Sequence, residues 1–469
     1  MDILTNLLSS FGNIGWTLAA FVVALSIIVA IHEYGHYIVG RWSGIHAEVF
    51  SIGFGKVLWS RRDKRGTLWL IAALPFGGYV KFLGDANAAS VGGDDAVEST
   101  RFSEYLAEVG ETSPEAHAHV SGLGAKNTML GAPLWARAST VAAGPIFNFI
   151  LSFFVFAGIL LAQGQPITPL TVSSVPSFPS GIEQQLLPGD RILRVEGRAL
   201  NYPEGFSAAV ADLPSQPSLE YEVRRNGETL TVRGPQPQPA FVQSVTPRSA
   251  ADDAGLKIGD VIVSMNGTMV YQFGDMVKVV DRTGATPIEL EVWRNGELFT
   301  STLTPRPQAM PQDDGSMLDE YKLGIGNGGL FFEPATSAVG VWESVKLAAQ
   351  QVWFIIVQSL NGLKQMIIGN INTCNLSGPV GIAETAGSMA SQGAMSFISL
   401  IAVLSTAVGL LNLFPIPVLD GGHLVFHAYE AVTGKMPSDG ALRIFMAIGL
   451  AMIGTLMIFA IFNDLLFCP

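Results

Sequence analysis

Two imidazoles and a carboxylate fall within five residues at His32-Glu33-Tyr34-Gly35-His36, directly after a run from Trp16 to Ile31 that carries no charge. Positions i and i+4 of a helix share a face, so His32 and His36 can grip one Zn2+ while Glu33 stands beside them as a base for water. The spacing is that of a zinc hydrolase. Five-residue matches also arise by chance on ordinary helices, where the histidines form only a polar face. The setting favours metal here, because the chain has 7 histidines in 469 residues and ionisable groups at membrane depth are costly enough to signal function.

Two histidines leave a catalytic zinc short of its usual third protein ligand. The sequence offers Asp420, in Asn412-Leu413-Phe414-Pro415-Ile416-Pro417-Val418-Leu419-Asp420-Gly421-Gly422, after the uncharged stretch from Thr385 to Leu419. The two prolines break the helix just before it, and freed backbone groups at that depth are tolerated only where they line a site. His423 and His427 also share a helical face and compete for the role, but they sit beyond the Gly-Gly turn beside a polar loop and rank below Asp420. His117 and His119, at i and i+2, do not share a face and read as part of a solvated loop.

The elements that must position these groups are membrane spans. Hydrophobic residues make up 49% of the chain and charged residues 14%, with mean hydropathy +0.38, as expected of a polytopic α-helical membrane protein. Runs of about 20 apolar residues are long enough to cross a bilayer. They predict four spans, at about 14–39, 136–162, 394–418 and 443–463. The first lacks the basic start of a cleavable signal peptide and itself carries the metal motif.

After the first span, Arg41, Lys56, Arg61, Arg62, Lys64, Arg65 and Lys81 face only Glu48 and Asp63, so the positive-inside rule makes this loop cytoplasmic and the N-terminus external. Odd-numbered spans run parallel. The ends of spans one and three therefore reach the same depth on the cytoplasmic side, where Asp420 can meet His32 and His36. This holds only if 341–370 does not cross the membrane; its apolar residues are interrupted by Gln350, Gln351, Gln358, Asn361, Lys364 and Gln365, which predicts an amphipathic interfacial helix. A net charge of -12 disfavours a nucleic-acid partner. Only Cys374 and Cys468 are present, so no disulfide framework is expected, and Cys374 reads as a small packing residue.

Segment 48–83 alternates apolar residues with glycine and tryptophan and reads as a membrane-associated β-hairpin. Residues 85–132, rich in Ala, Gly, Ser and acids, form a cytoplasmic insert with no assigned role. Between spans two and three the sequence repeats itself. Val172-Ser173-Ser174-Val175 returns as Val242-Gln243-Ser244-Val245, Leu187-Pro188-Gly189-Asp190 as Leu256-Lys257-Ile258-Gly259-Asp260, and Val223-Arg224-Arg225-Asn226-Gly227 as Val292-Trp293-Arg294-Asn295-Gly296. Each copy predicts short strands with an Asn-Gly hairpin turn near its end. Gly189-Asp190 with Gly197, and Gly259-Asp260 with Gly267, resemble the PDZ strand-entry pattern, giving two tandem PDZ-like α+β domains at 168–237 and 238–308. PDZ domains bind peptide tails by strand addition, although such modules also serve as plain spacers.

With the histidine motif in span one, Gly144-Pro145-Ile146-Phe147-Asn148 in span two, the proline-broken Asp420 segment after span three and the PDZ-like pair between, the chain resembles the site-2 protease family. The resemblance implies a zinc-dependent intramembrane endopeptidase of regulated proteolysis in a bacterial inner membrane. Its one catalytic Zn2+ would be held by His32, His36 and Asp420, with Glu33 moving the water's proton to the leaving amine. The implied substrates are single-span proteins cut within their transmembrane segments, such as a pre-trimmed anti-sigma factor or remnant signal peptides. In that family a β-loop with a Gly-x-Gly element holds the substrate extended, matched here by Gly53-Phe54-Gly55, and a clamping asparagine is matched by Asn412. The PDZ-like pair would lie on the periplasmic side as a tether or size filter. Asn148 reads better as packing between helices. The competing class is a non-catalytic PDZ scaffold or chaperone with a structural zinc, which has no need of Glu33; a zinc transporter lacks support because the stretches from Ala138 to Ala162 and from Ile444 to Asn463 of spans two and four carry no charged residue to relay an ion.

Overall fold

A computed structural model describes residues 2–84, 125–200, 202, 206–311, 317–326, 329–369 and 378–464. Most of the 85–132 insert, with His117 and His119, and both cysteines lie outside the described residues. The chain divides into two compact units: the apolar helices with the hairpin, and the strand-rich stretch between the second and third long helices.

Without a proline or a left-handed residue to interrupt it, the chain from Asp2 to Trp42 forms one helix, α1, with Arg41 in its last turn opposing the helix dipole. The expected hairpin follows as β1 (Ala47–Arg62) and β2 (Leu68–Phe82), paired antiparallel. Its turn is fixed by Asp63, whose carboxylate accepts from the N–H groups of Arg65 and Thr67 at 2.8 and 3.0 Å. Gly53 and Gly55 have φ of +91° and +84° where the register shifts, which is how a bulge bends a strand. Tyr37, Ile45, Phe50 and Phe82 form a common core with Ala136, pinning the hairpin between α1 and α2 (Leu134–Gln163).

The strand-rich unit contains two modules built alike. The first has a sheet of β3 (Arg191–Val195), β4 (Leu219–Arg225) and β5 (Glu228–Gly234) with helix α3 (Phe206–Ala211). The second has α4 (Ala250–Asp253), β6 (Val261–Met265), β7 (Thr268–Met269), α5 (Phe273–Thr283), β8 (Ile288–Arg294) and β9 (Glu297–Leu303). Both Asn-Gly turns form with positive φ at each residue, 54° and 90° at Asn226-Gly227 and 52° and 101° at Asn295-Gly296. The buried carboxylates of Asp190 and Asp260 are each gripped by an arginine beside such a turn, Arg225 at 2.7 Å and Arg294 at 2.6 Å.

Both cores draw on residues beyond the repeat. Leu323 and Ile325 complete the second, after the hairpin β10 (Arg306–Pro311) and β11 (Met317–Lys322), while Leu330, Phe331 and Phe332 return to the first. The segments 168–237 and 238–308 thus omit the strands that close each module, because the closing residues are not themselves duplicated.

Helix α6 (Val341–Ile368) occupies most of the segment expected to be interfacial and is not among the four helices long and apolar enough to cross a membrane. Those four are Gly15–Trp42, Leu134–Gln163, Ala394–Asn412 and Gly440–Phe462 among the described residues. Two details depart from the sequence expectation. A separate helix, α7 (Pro379–Ser391), precedes the third span, its N-terminal N–H groups at Gly378, Val380 and Gly381 capped by the Asp464 carboxylate. The third span, α8 (Ala394–Asn412), ends before the expected 418, because Pro415 and Pro417 cannot donate to a continuing helix. The chain restarts as α9 (Asp420–Thr433) and ends with α10 (Asp439–Phe462).

Candidate metal centre

His32 and His36 lie one turn apart on α1, and Asp420 is the first residue of α9. The structure brings all three together. His32 Nε2 and His36 Nε2 are 3.1 Å apart; Asp420 Oδ2 lies 3.1 Å from His32 Nε2, and Oδ1 lies 3.6 Å from His36 Nε2. A tetrahedral zinc with ligands at about 2.0–2.1 Å has donor-to-donor edges of about 3.3–3.4 Å, so the triangle has the size of one face of that polyhedron. His423 and His427 line the adjoining cavity but are not in the converging set.

The tautomers agree. His36 Nδ1–H donates to the Thr140 carbonyl oxygen at 2.8 Å, leaving a bare lone pair on Nε2. His32 Nδ1 is 3.2 Å from the carboxamide of Asn148, a residue with no exposed surface. Asn148 Oδ1 has no hydrogen-bond partner, and a half-turn of the carboxamide presents it to a protonated Nδ1, again freeing Nε2. Two imidazole lone pairs and a carboxylate then face one another with no donor between them, and Asp420 Oδ2 is itself without a hydrogen-bonding donor. Such a convergence of acceptors is stabilised by a cation. The donor set fits Zn2+.

Three helices meet here because small residues let them. A Cβ on Gly144 of α2 would lie 2.3 Å from His36 Nε2 and 2.7 Å from His32 Cε1, and one on Gly35 would lie 2.6 Å from the Ala143 carbonyl oxygen. On the other side, a Cβ on Gly421 or Gly422 would strike the carbonyls of Phe414 or Ile416 at 2.2 and 2.3 Å, so only glycines let α9 turn back this sharply. Ser152 and Ser405 both donate to the Asn148 carbonyl oxygen, joining α2 to α8.

Glu33 is turned toward β2, where the backbone of Val80 hydrogen-bonds its carboxylate and Gly78 packs against its Cγ. A cavity of about 490 Å³ opens over the centre, lined by His32, Glu33, Tyr79, Val80, Asn412 and Asp420 among others. Asn412 thus borders the site. Gly53-Phe54-Gly55 does not line this cavity; Phe54 is half exposed and stacks on Tyr79, which does. Sequence reasoning did not single out Thr140, whose contribution is a backbone oxygen, and read Asn148 as helix packing; its carboxamide lies 3.2 Å from His32 Nδ1 while its carbonyl accepts from Ser405 of α8.

The family model for Peptidase family M50 matches residues 20–456. A Rhizobium meliloti (strain 1021) protein named as a zinc metalloprotease is 32% identical, over 97% of this chain and 97% of its own. The regulator of sigma-E protease RseP of Escherichia coli (strain K12) is 31% identical, over 96% of this chain and 98% of its own, and the regulator of sigma E protease of Haemophilus influenzae is 31% identical over 96% and 99%. A PDZ domain of the SdrC-like protein of Listeria monocytogenes matches 19% of this chain and 88% of its own at 13% identity and TM-score 0.16, too weak a likeness to bear on the fold. The whole-length match and the convergence of two histidines and an aspartate beside Glu33 lead to one assignment: the chain belongs to peptidase family M50, the site-2 protease family, and is a zinc metalloendopeptidase.

Proposed function

We propose that this protein is a bacterial inner-membrane enzyme that hydrolyses peptide bonds within or beside the transmembrane segment of single-span proteins. The observation that supports this most is the convergence of His32 and His36, on a helix apolar enough to span a bilayer, with Asp420, which follows another such helix after a short turn, beside Glu33 and under a cavity lined by a β-strand. His32 and His36, through Nε2, and Asp420 would hold one zinc. When bound, the ion supplies Lewis acidity to the scissile carbonyl and to water.

The remaining chemistry belongs to the chain. Glu33, held by the Val80 backbone, takes a proton from water and returns it to the leaving amine. Helical backbone is a poor substrate because its carbonyls are already bonded, so the peptide must be drawn out. β2, whose Tyr79 and Val80 line the cavity, offers a strand alongside which the peptide lies extended, with Gly53-Phe54-Gly55 shaping the hairpin behind it, and Asn412 offers its carboxamide to an extended main chain.

The duplicated modules read as PDZ-like holders of peptide tails. In the second, a groove of about 310 Å³ between α5 and the extended segment from Tyr321 to Ile325 is lined by Phe273, Met276 and Val280, apolar positions suited to a tail laid along that segment. Anti-sigma factors already trimmed outside the membrane, or remnant signal peptides, are the substrate classes that such an arrangement suits, with the N-terminus and the modules periplasmic and the metal centre toward the cytoplasm.

The experiment is Glu33→Gln in the full chain. Zinc content should stay at the wild-type level while cleavage of a single-span reporter disappears and uncut single-span fragments accumulate in membranes. Proteolysis undiminished in Glu33→Gln would remove Glu33 from the chemistry.

A further inference from the structure

Arg137 stands in the first turn of α2 and is buried, and each nitrogen of its guanidinium makes a hydrogen bond. Nη1 donates to Glu430 Oε2 at 3.0 Å, Nη2 to Glu430 Oε1 at 2.6 Å, and Nε to the Ala132 carbonyl oxygen at 3.1 Å. A two-pronged arginine–carboxylate contact fixes angle as well as distance, which a lysine cannot do. Glu430 lies on α9, the helix that Asp420 begins, about 15 Å further along its axis at 1.5 Å per residue.

The position of Arg137 on α2 gives the pair its meaning. Arg137, Thr140, Gly144 and Asn148 fall at i, i+3, i+7 and i+11, a single stripe of the helix. Thr140 holds His36 through its carbonyl, Asn148 meets His32, and Gly144 admits both rings. The one ligand this stripe does not reach directly is Asp420. Arg137 reaches the helix that carries it.

We propose that the Arg137–Glu430 pair is a positioning clamp for the metal centre, through which α2 sets all three ligands: the imidazoles directly, and Asp420 by fixing the rotation and height of α9. The proposal rests on His32, His36 and Asp420 being the zinc ligands. The turn from Leu413 to Leu419, with Gly421 and Gly422 against its carbonyls, delivers Asp420 to the region of the site. A turn at one end leaves a helix free to pivot, and the clamp acts at the other end. Ligand geometry tolerates errors of only about 0.2 Å, so a small pivot is enough to matter.

The test uses the purified full chain in detergent micelles, with zinc affinity read by chelator competition and the ligand field by the visible spectrum of the Co2+-loaded protein. Arg137→Lys keeps the charge and loses the fork; Glu430→Gln keeps the shape and loses the charge. Each should weaken zinc binding about tenfold or more and shift the Co2+ bands while helical content is retained, and the double variant should be no worse than the weaker single. A folded Glu430→Gln with zinc affinity within twofold of wild type and an unchanged Co2+ spectrum would overturn the clamp. If Glu430→Gln does not fold, Arg137→Lys decides by the same readings. Loss of fold in both would also overturn it, making the pair an element of folding rather than of positioning. Asp420→Asn, run alongside, must lose zinc: if it does and the clamp variants do not, the clamp alone fails, whereas full zinc affinity in Asp420→Asn refutes the ligand set beneath it.

Discussion

Adding one methyl group at Gly144 should empty the metal centre. The new Cβ of Gly144→Ala would lie 2.3 Å from His36 Nε2, 2.6 Å from His36 Cε1 and 2.7 Å from His32 Cε1, where ordinary contact begins at 3.4 Å. Relief requires a displacement of about 1 Å, several times the roughly 0.2 Å that a zinc–ligand distance tolerates. The helices cannot simply part, since Gly35 already brings α1 against the Ala143 carbonyl and the Asn148 carbonyl is tied to Ser405 of α8. The rings must move. Overpacking of this kind costs about 1–3 kcal/mol, and turning it on the ligands should weaken zinc binding about 100-fold, roughly 3 kcal/mol. The assay is chelator competition on purified protein, with cleavage of a single-span reporter in parallel. Gly158→Ala is the control, on the same helix but with nothing within 4 Å of its Cβ, and it should bind zinc as wild type does. A Gly144→Ala protein that holds zinc within threefold of wild type would refute the packing argument.

Asn148→Leu preserves bulk but removes the partner of His32 Nδ1; zinc affinity should fall about 10- to 100-fold, read as metal content at limiting zinc, and an unchanged affinity would return Asn148 to a packing role. In the second module, Asp260→Asn breaks the grip on Arg294 while leaving that arginine partly able to rehydrate, so a loss of about 2 kcal/mol is expected, measured as a lower unfolding midpoint of the strand-rich unit. Burial raises the pKa of Asp63, but the N–H groups of Arg65 and Thr67 with Trp69 and Tyr37 outweigh it and hold the carboxyl below its ordinary value. A depressed folded pKa means the contribution is fully present above the unfolded value near 4 and is lost as pH falls through the folded one. Amide exchange in the β1–β2 hairpin should therefore accelerate in acid below about pH 4 in wild type, and Asp63→Asn should remove that dependence.

What the sequence made legible was whatever rests on periodicity. His32 and His36 declare themselves by helical spacing, and the partnership with Asp420 follows from counting spans, because parity restricts which ends share a side of the membrane. The two Asn-Gly turns were readable because left-handed backbone has few residue solutions. Less was readable where contacts join distant segments without a repeat. Arg137 and Glu430 are nearly 300 residues apart, and neither residue type announces its partner. Leu323 and Phe331 close modules whose duplicated parts end earlier. The end of α8 was misjudged because hydropathy continues through Leu419 while the backbone, obeying its prolines, stops at Asn412.

The second helix explains why a site made from α1 and α9 needs a third element. Ligands on two helices define a metal position only as well as the helices hold each other, and apolar side chains in lipid supply little of that, since lipid tails are equally apolar. Polar groups with fixed geometry must supply it. On α2 these are Arg137, Thr140, Asn148 and Ser152, all buried within a helix otherwise apolar enough to span a bilayer. Each residue has a named contact: Arg137 to the α9 carboxylate, Thr140 through its backbone oxygen to the His36 ring, Asn148 to the His32 ring and Ser152 to the Ala402 carbonyl of α8. The Thr140 and Ser152 hydroxyls also bond the carbonyl four residues back in their own helix, at Ala136 and Asn148, as serine and threonine commonly do. Three of the four contacts nevertheless lead to His32, His36 or the helix that bears Asp420, through the Arg137 and Asn148 side chains and the Thr140 backbone oxygen, so this stripe of α2 is best understood as the scaffold of the candidate metal centre.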